Sequence, residues 1–173
     1  MKKVLLIILI LIVIIAGGIY GYNYFTLQKP MNDVIEQDSR NSGIEVSAHL
    51  NYYIDYNTLE YNLTAVENNS MADVFRVLLQ YAEEIKEKDF NEVILSHKGK
   101  EKFKLEGEYF KQLGEEYSWQ NPVYTMRTFP ENVLKMNGDK AFPKWSGGLL
   151  GVMKEQTEDF YEFHKKWYIN DYK

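Results

Sequence analysis

The chain's side chains that titrate near neutral pH are three histidines, His49, His97 and His164. Their spacing matches no HExxH or HxH metal pair. Ser96 directly precedes His97, which raises the chemistry of an activated hydroxyl. That chemistry needs nucleophile and base to meet in space, with a third group orienting the base. Sequence adjacency supplies neither. His49 falls on the polar side of an alternating segment and is expected at the surface. His164 neighbours an apolar helix seam and is expected to pack there, near a C-terminal helix dipole. No P-loop, dinucleotide fingerprint or GxSxG motif occurs in the chain. No catalytic residue, metal site or cofactor is assigned.

Binding chemistry has better candidates. Arg127 lies in "YTMRTFPEN", between Tyr124 and Phe129. A guanidinium among aromatics can hold a ligand carboxylate through paired N–H donors, or stack on a ring. It can equally pair with Glu131 or another acid of the fold. Trp145 precedes Gly147-Gly148 and serves either as an exposed recognition aromatic or as a cap on the core. Tyr124, Arg127 and Trp145 are thus the candidate ligand-binding residues, within an irregular 122–148 region. Long irregular stretches often carry function. Lys100, Lys102 and Lys104 would share one face of a strand, as an anion-binding stripe or as charge protecting a sheet edge.

Composition narrows the classes. From Pro30 onward 17 Lys+Arg stand against 25 Asp+Glu, a balance of −8. Nucleic-acid binding needs clustered positive charge and is not expected. The chain has no cysteine, which removes disulfides, thiol catalysis and thiolate metal sites.

The N-terminus is the strongest signal. Lys2 and Lys3 are followed by "VLLIILILIVIIA". About a dozen such residues favour membrane insertion by on the order of 4 to 7 kcal/mol. Ala16-Gly17-Gly18 offers a signal-peptide cut site. Yet Val4 to Phe25 gives 22 uncharged residues, enough to span a bilayer. Tyr20, Tyr22, Tyr24 and Phe25 close it with a membrane-interface aromatic belt. An uncleaved anchor is the favoured reading, and a secreted or periplasmic domain released by cleavage is the alternative. The basic end assigns the N-terminus to the cytoplasmic side of the cell membrane and the domain to the outside.

Elements that would position these residues follow from periodicity. Residues 1–27 read as the anchor, 28–43 as a polar tether and 44–173 as one domain. Ile44 to Tyr56 alternates apolar and polar, then turns at Tyr56-Asn57-Thr58 into a second strand through Ala65. Ser70 and Asp73 open a helix that carries Val74, Val77, Leu78, Tyr81 and Ile85 on one face. Val93–Leu95 and Phe103–Leu105 form a hairpin about Lys98-Gly99. Tyr109 to Tyr117 makes a short helix weakened by Gly114. Residues 122–129 are rich in β-branched and aromatic types and predict a fifth strand. A last helix from Ser146 carries the seam Leu149, Met153, Gln156, Phe160, Phe163 and Trp167.

The expected fold is α+β: an N-terminal transmembrane helix, then an antiparallel or mixed sheet of about five strands in ββαββαβα order with helices on one face. The expected function is a membrane-anchored extracytoplasmic envelope domain, non-enzymatic, that contacts another envelope protein. The alternatives are a module binding a small molecule, polysaccharide or peptide through 122–148, and an envelope hydrolase. Membrane lipid is the partner of the N-terminal helix.

Overall fold

The computed structural model describes residues 2–172, with the side chain of Leu149 outside the description. The chain opens with α1, Lys2–Asn23, whose Ile/Leu surface is exposed throughout. The helix then widens into a π turn, Tyr24–Gln28, and continues as α2, Lys29–Gln37. Pro30 accounts for the widening, because it has no N–H and its ring crowds the carbonyl four residues back. The continuous helix Lys2–Gln37 is long and apolar enough to cross a membrane.

The 28–43 stretch, expected as a tether, is built into the domain. Leu27, Met31 and Val34 are buried in the core cluster. Asn41 is fully buried, donating to the Val34 carbonyl at 2.9 Å and to Gln80 Oε1 at 2.7 Å. The polar letters of this stretch conceal an i, i+4, i+7 apolar stripe that packs on the next helix.

Four strands follow in two pairs: β1, Ile44–Asn51; β2, Asp55–Val66; β3, Glu92–His97; and β4, Lys100–Glu106. Their spatial order is β1-β2-β3-β4, with antiparallel outer pairs and a parallel central pair. The parallel pair needs a crossover, which α3, Met71–Glu84, supplies. Ser70 caps α3 in a reciprocal capping box with Asp73. All five expected inward residues are buried, four within the helix and Ile85 at its C-cap.

Two expectations about strands need correction. The first hairpin turns earlier than the alternation implies, at Tyr52-Tyr53, where both residues have positive φ. Tyr52, Ile54 and Tyr56 continue the period of two but project into solvent instead of the core. Residues 122–129 form no fifth strand. Pro122–Thr128 is a short helix, α5, because the Asn121 side chain accepts from the N–H groups of Val123 and Tyr124 and Pro122 sits at its start. Capping chemistry overrides β propensity there. Beyond β4 the sheet gains only bridges, Lys104 to Leu134 and Leu134 to Lys140. The order is therefore ββαββααα after the N-terminal helix, with four strands in a mixed sheet.

Between β4 and α5 lies α4, Gly107–Glu116. Gly114, expected to weaken this helix, lets it lie against α3: a Cβ there would stand 2.2 Å from the Ala82 carbonyl oxygen. The last helix, α6, runs Leu149–Trp167. Gln156, Phe160, Phe163 and Trp167 of its seam are buried.

Inner sheet residues such as Tyr61, Leu95 and Phe103 meet an aromatic cluster from the helices. Phe75, Phe129, Phe160 and Phe163 pack edge to face, with centroids 4.9 to 5.3 Å apart. His164 is enclosed among Phe160, Phe163, Trp167 and Tyr168. Burial pushes its imidazole down to about 3, against any pull from the helix C-terminus.

The helix meets the sheet through two amides. β1 is an edge strand, and its outward backbone groups need partners. Asn23 Oδ1 accepts from the Leu50 N–H at 2.7 Å, and Asn23 Nδ2 donates to the Tyr53 carbonyl at 2.9 Å. Gln28 accepts from the Ala48 N–H at 2.8 Å and donates to the Val46 carbonyl at 3.1 Å. Asn23 is 3% exposed, so water cannot replace it.

Two stability predictions follow from this packing. Asn23→Ala strands the buried Leu50 N–H and should cost about 1–3 kcal/mol, measured by urea unfolding of the full chain in detergent micelles. The second concerns pH. The unfolded chain protonates His164 near its ordinary value of 6.5, whereas the folded chain does so at about 3. The unfolded state binds more protons between those values, so stability falls as pH drops below about 6.5, by at most about 1.4 kcal/mol per pH unit. His164→Phe should flatten that acid limb in unfolding curves compared at about pH 7 and pH 5.

Candidate functional site

Tyr124, Arg127 and Trp145 line one cleft of about 730 Å³. Its walls are α4, α5, the turn Phe129–Asn132, the loop through Trp145, and the first half of α6. None of these elements is one of the four strands, although Lys140 reaches the sheet through its bridge to Leu134.

Arg127 stands in the last turn of α5, where a cation suits the helix C-terminus. Its Nε is buried and has no hydrogen-bond partner among the described residues. Nη1 approaches Gln156 Oε1 at 3.5 Å, and Gln156 Nε2 donates to Glu131 at 2.7 Å. The expected Arg127–Glu131 pair is thus replaced by an intervening amide. Among the described residues, no carboxylate forms an ion pair with Arg127. A buried donor with an uncompensated charge is costly unless something pairs with it.

Trp145 is half-buried, and its Nε1 donates to Asp159 at 2.7 Å. That bond holds the indole at the cleft wall, outside the core cluster. Tyr124 is half exposed. Lys140 and Lys144 add two exposed cations, while Glu116 and Glu131 supply two acids. With Arg127 the lining is net positive, against the acidic balance of the whole domain. Burial raises the Tyr109 phenol above its usual value, over a smaller opposing effect from Asn132. It therefore remains an O–H donor near neutral pH.

Sequence reasoning missed Tyr109, Lys140, Lys144 and Gln156. Only Gln156 left a signal, as the one polar member of an otherwise apolar seam. It is buried, with its amide between Arg127 and Glu131.

The histidines lie elsewhere, and none lines this cleft. His49, expected at the surface, is partly covered: it stacks on Tyr53 with centroids 4.3 Å apart. His97 is fully buried, and its Nδ1 meets Asp171 Oδ2 at 2.7 Å. Lys102 reaches the same carboxylate at 2.8 Å. These hydrogen bonds, from His97 first and Lys102 second, hold Asp171 down to about 2. The cluster pins the C-terminal turn Ile169–Tyr172 to the β3–β4 hairpin, and Lys98 lies 4.1 Å above the Tyr172 ring. Lys104 pairs with Glu92 at 2.6 Å, so two of the three alternating lysines are neutralised within the fold. Among the described residues no cluster of His, Asp or Glu is arranged to hold a metal.

Tyr20, Tyr22, Tyr24 and Phe25 are exposed around the end of α1. Tyr20 and Tyr24 stack along the helix at 6.3 Å. Comparison of the chain with protein-family models, with curated proteins and with solved structures finds no match.

Proposed function

We propose that the chain is a membrane-anchored, extracytoplasmic binding module that takes a carboxylate-bearing ligand into the cleft around Arg127. The observation that carries this reading is the Arg127 guanidinium, with its buried Nε unpartnered and no acid paired to it. A ligand carboxylate would complete a bidentate pair there. Tyr124 and Trp145 would cover the ligand's apolar or sugar face, and Lys140 and Lys144 would draw the anion to the mouth. The anchor reading rests on the length and apolar surface of α1, its aromatic end and the basic pair at its start. The same lysines favour a cytoplasmic N-terminus.

Contact with another envelope protein is a second reading with its own observation. Trp119 and Val123 are 68% and 58% exposed where α4 leads into α5. They adjoin a groove of about 350 Å³ lined by Leu79, Tyr117, Pro122 and Met126. Large apolar side chains left open beside a groove suit a helix or loop of a partner.

Two experiments test these readings. A panel of dicarboxylates, uronic acids and short peptides, added to the full chain in micelles, should contain at least one member that raises Tm. Arg127→Gln should remove that rise while leaving the circular dichroism spectrum unchanged. A panel with no effect removes the carboxylate reading. For the second, a photo-cross-linking amino acid at Val123 should give one reproducible adduct in native membranes. Only scattered adducts there would count against a protein partner on this face.

A further inference from the structure

We infer that the tip of the β1–β2 hairpin, Tyr52 to Tyr56, enters the lipid interface beside α1 as a second membrane contact; this rests on the anchor reading of α1.

The tip is held level with the end of the span. The Tyr53 carbonyl accepts from Asn23 Nδ2 at 2.9 Å, and the Tyr22 and Tyr56 rings meet edge to face at 5.2 Å. β1 runs back along the helix toward that end, with Val46 and Ala48 bonded to Gln28 and Leu50 to Asn23. Val4 to Phe25 is 22 residues. At ~1.5 Å each they cover about 33 Å, against a hydrocarbon core of about 30 Å. Tyr22 and Phe25 then fall at the bilayer interface, and the tip falls there with them.

The side chains fit that layer and fit water badly. Tyr52, Tyr53, Ile54 and Tyr56 are 77%, 46%, 59% and 59% exposed. Tyr20, Tyr22, Tyr24 and Phe25 are likewise exposed, and the Tyr22–Tyr56 contact joins the helix to the tip. Tyrosine places an apolar ring and a polar hydroxyl in a region that is itself graded from apolar to wet.

The backbone argues in the same direction. Tyr52 and Tyr53 have φ of 51° and 64°. Left-handed positions in a hairpin connection favour Gly or Asn, and bulky residues there are strained. A turn that only reversed the chain would not need two tyrosines in the left-handed region. Asp55 is the single charged residue between Leu50 and Thr58. The contact therefore draws on ring and aliphatic burial, and it needs no anionic lipid. A helix and a hairpin tip entering one plane fix the tilt of the domain, where a lone span would leave it free to pivot.

The chain has no cysteine, which makes single-site labelling direct. Ile54→Cys, Ile12→Cys and Asn137→Cys variants of the full chain would carry an environment-sensitive fluorophore in phosphatidylcholine vesicles. Each would be quenched by brominated lipid and, separately, by aqueous iodide. The label at position 54 should be quenched by lipid brominated near the headgroup and shielded from iodide several-fold relative to position 137. The label at position 12 should respond only to deeply brominated lipid. If position 54 matches position 137 while position 12 stays deep, the hairpin contact is wrong and the anchor stands. If position 12 itself is open to iodide, the anchor reading falls and takes this inference with it. Shielding of position 54 from iodide without lipid quenching would mean that protein covers the tip, which also overturns the proposal.

Discussion

Two side-chain amides, Asn23 and Gln28, join the N-terminal helix to the open edge of the sheet. β1 has no strand on its outer side, so its carbonyls and N–H groups there must find partners or water. Asn23 and Gln28 meet three of them, at Val46, Ala48 and Leu50, and a fourth group at Tyr53 in the turn that follows. An amide side chain is suited to this because it carries both an acceptor and a donor. The consequence reaches both ends of the molecule. Leu27, Met31 and Val34 are carried into the core on the same helix, and the Tyr81 hydroxyl donates to the Leu27 carbonyl at 3.2 Å. The helix that bears the apolar span is thus also a wall of the domain.

From that edge the fold builds outward in one direction. The sheet supplies an apolar face, α3 crosses it, and α4 lies close on α3 because Gly114 has no side chain to hold them apart. The later segments, α5 and α6, add an aromatic layer around Phe129 and Phe163. The cleft opens where these late elements meet, outside the sheet. Its lining is therefore set by side chains on short helices and a loop. The Trp145–Asp159 and Gln156–Glu131 bonds keep those side chains in place. Arg127 bonds Gln156 through Nη1, while its buried Nε has no partner among the described residues.

Much of this was legible along the chain. The α3 face from Val74 to Ile85, its Ser70–Asp73 cap, the Lys98-Gly99 hairpin and the α6 seam all follow from periodicity and turn chemistry. Tyr124, Arg127 and Trp145 stood out by type, and they line the same cleft. What misled was local. The 122–129 segment has strand-like residues, yet the Asn121-Pro122 cap makes it a helix. The alternation through Tyr56 hid a turn at Tyr52-Tyr53, because residues there are apolar without facing the core. The 28–43 stretch reads as polar, yet a few well-spaced apolar residues bury it.

The sequence by itself determined the apolar N-terminal helix, the α+β class, the helix α3 with its apolar face and the seam of α6, since these depend on spacing within a dozen residues. Tertiary structure alone decided which distant groups meet. His97 and Asp171 lie 74 positions apart, and Arg127 and Gln156 lie 29 apart. Asn23 finds Leu50 only because the helix lies along the strand's free edge. Such pairings are set by how whole elements pack, and no local pattern encodes them.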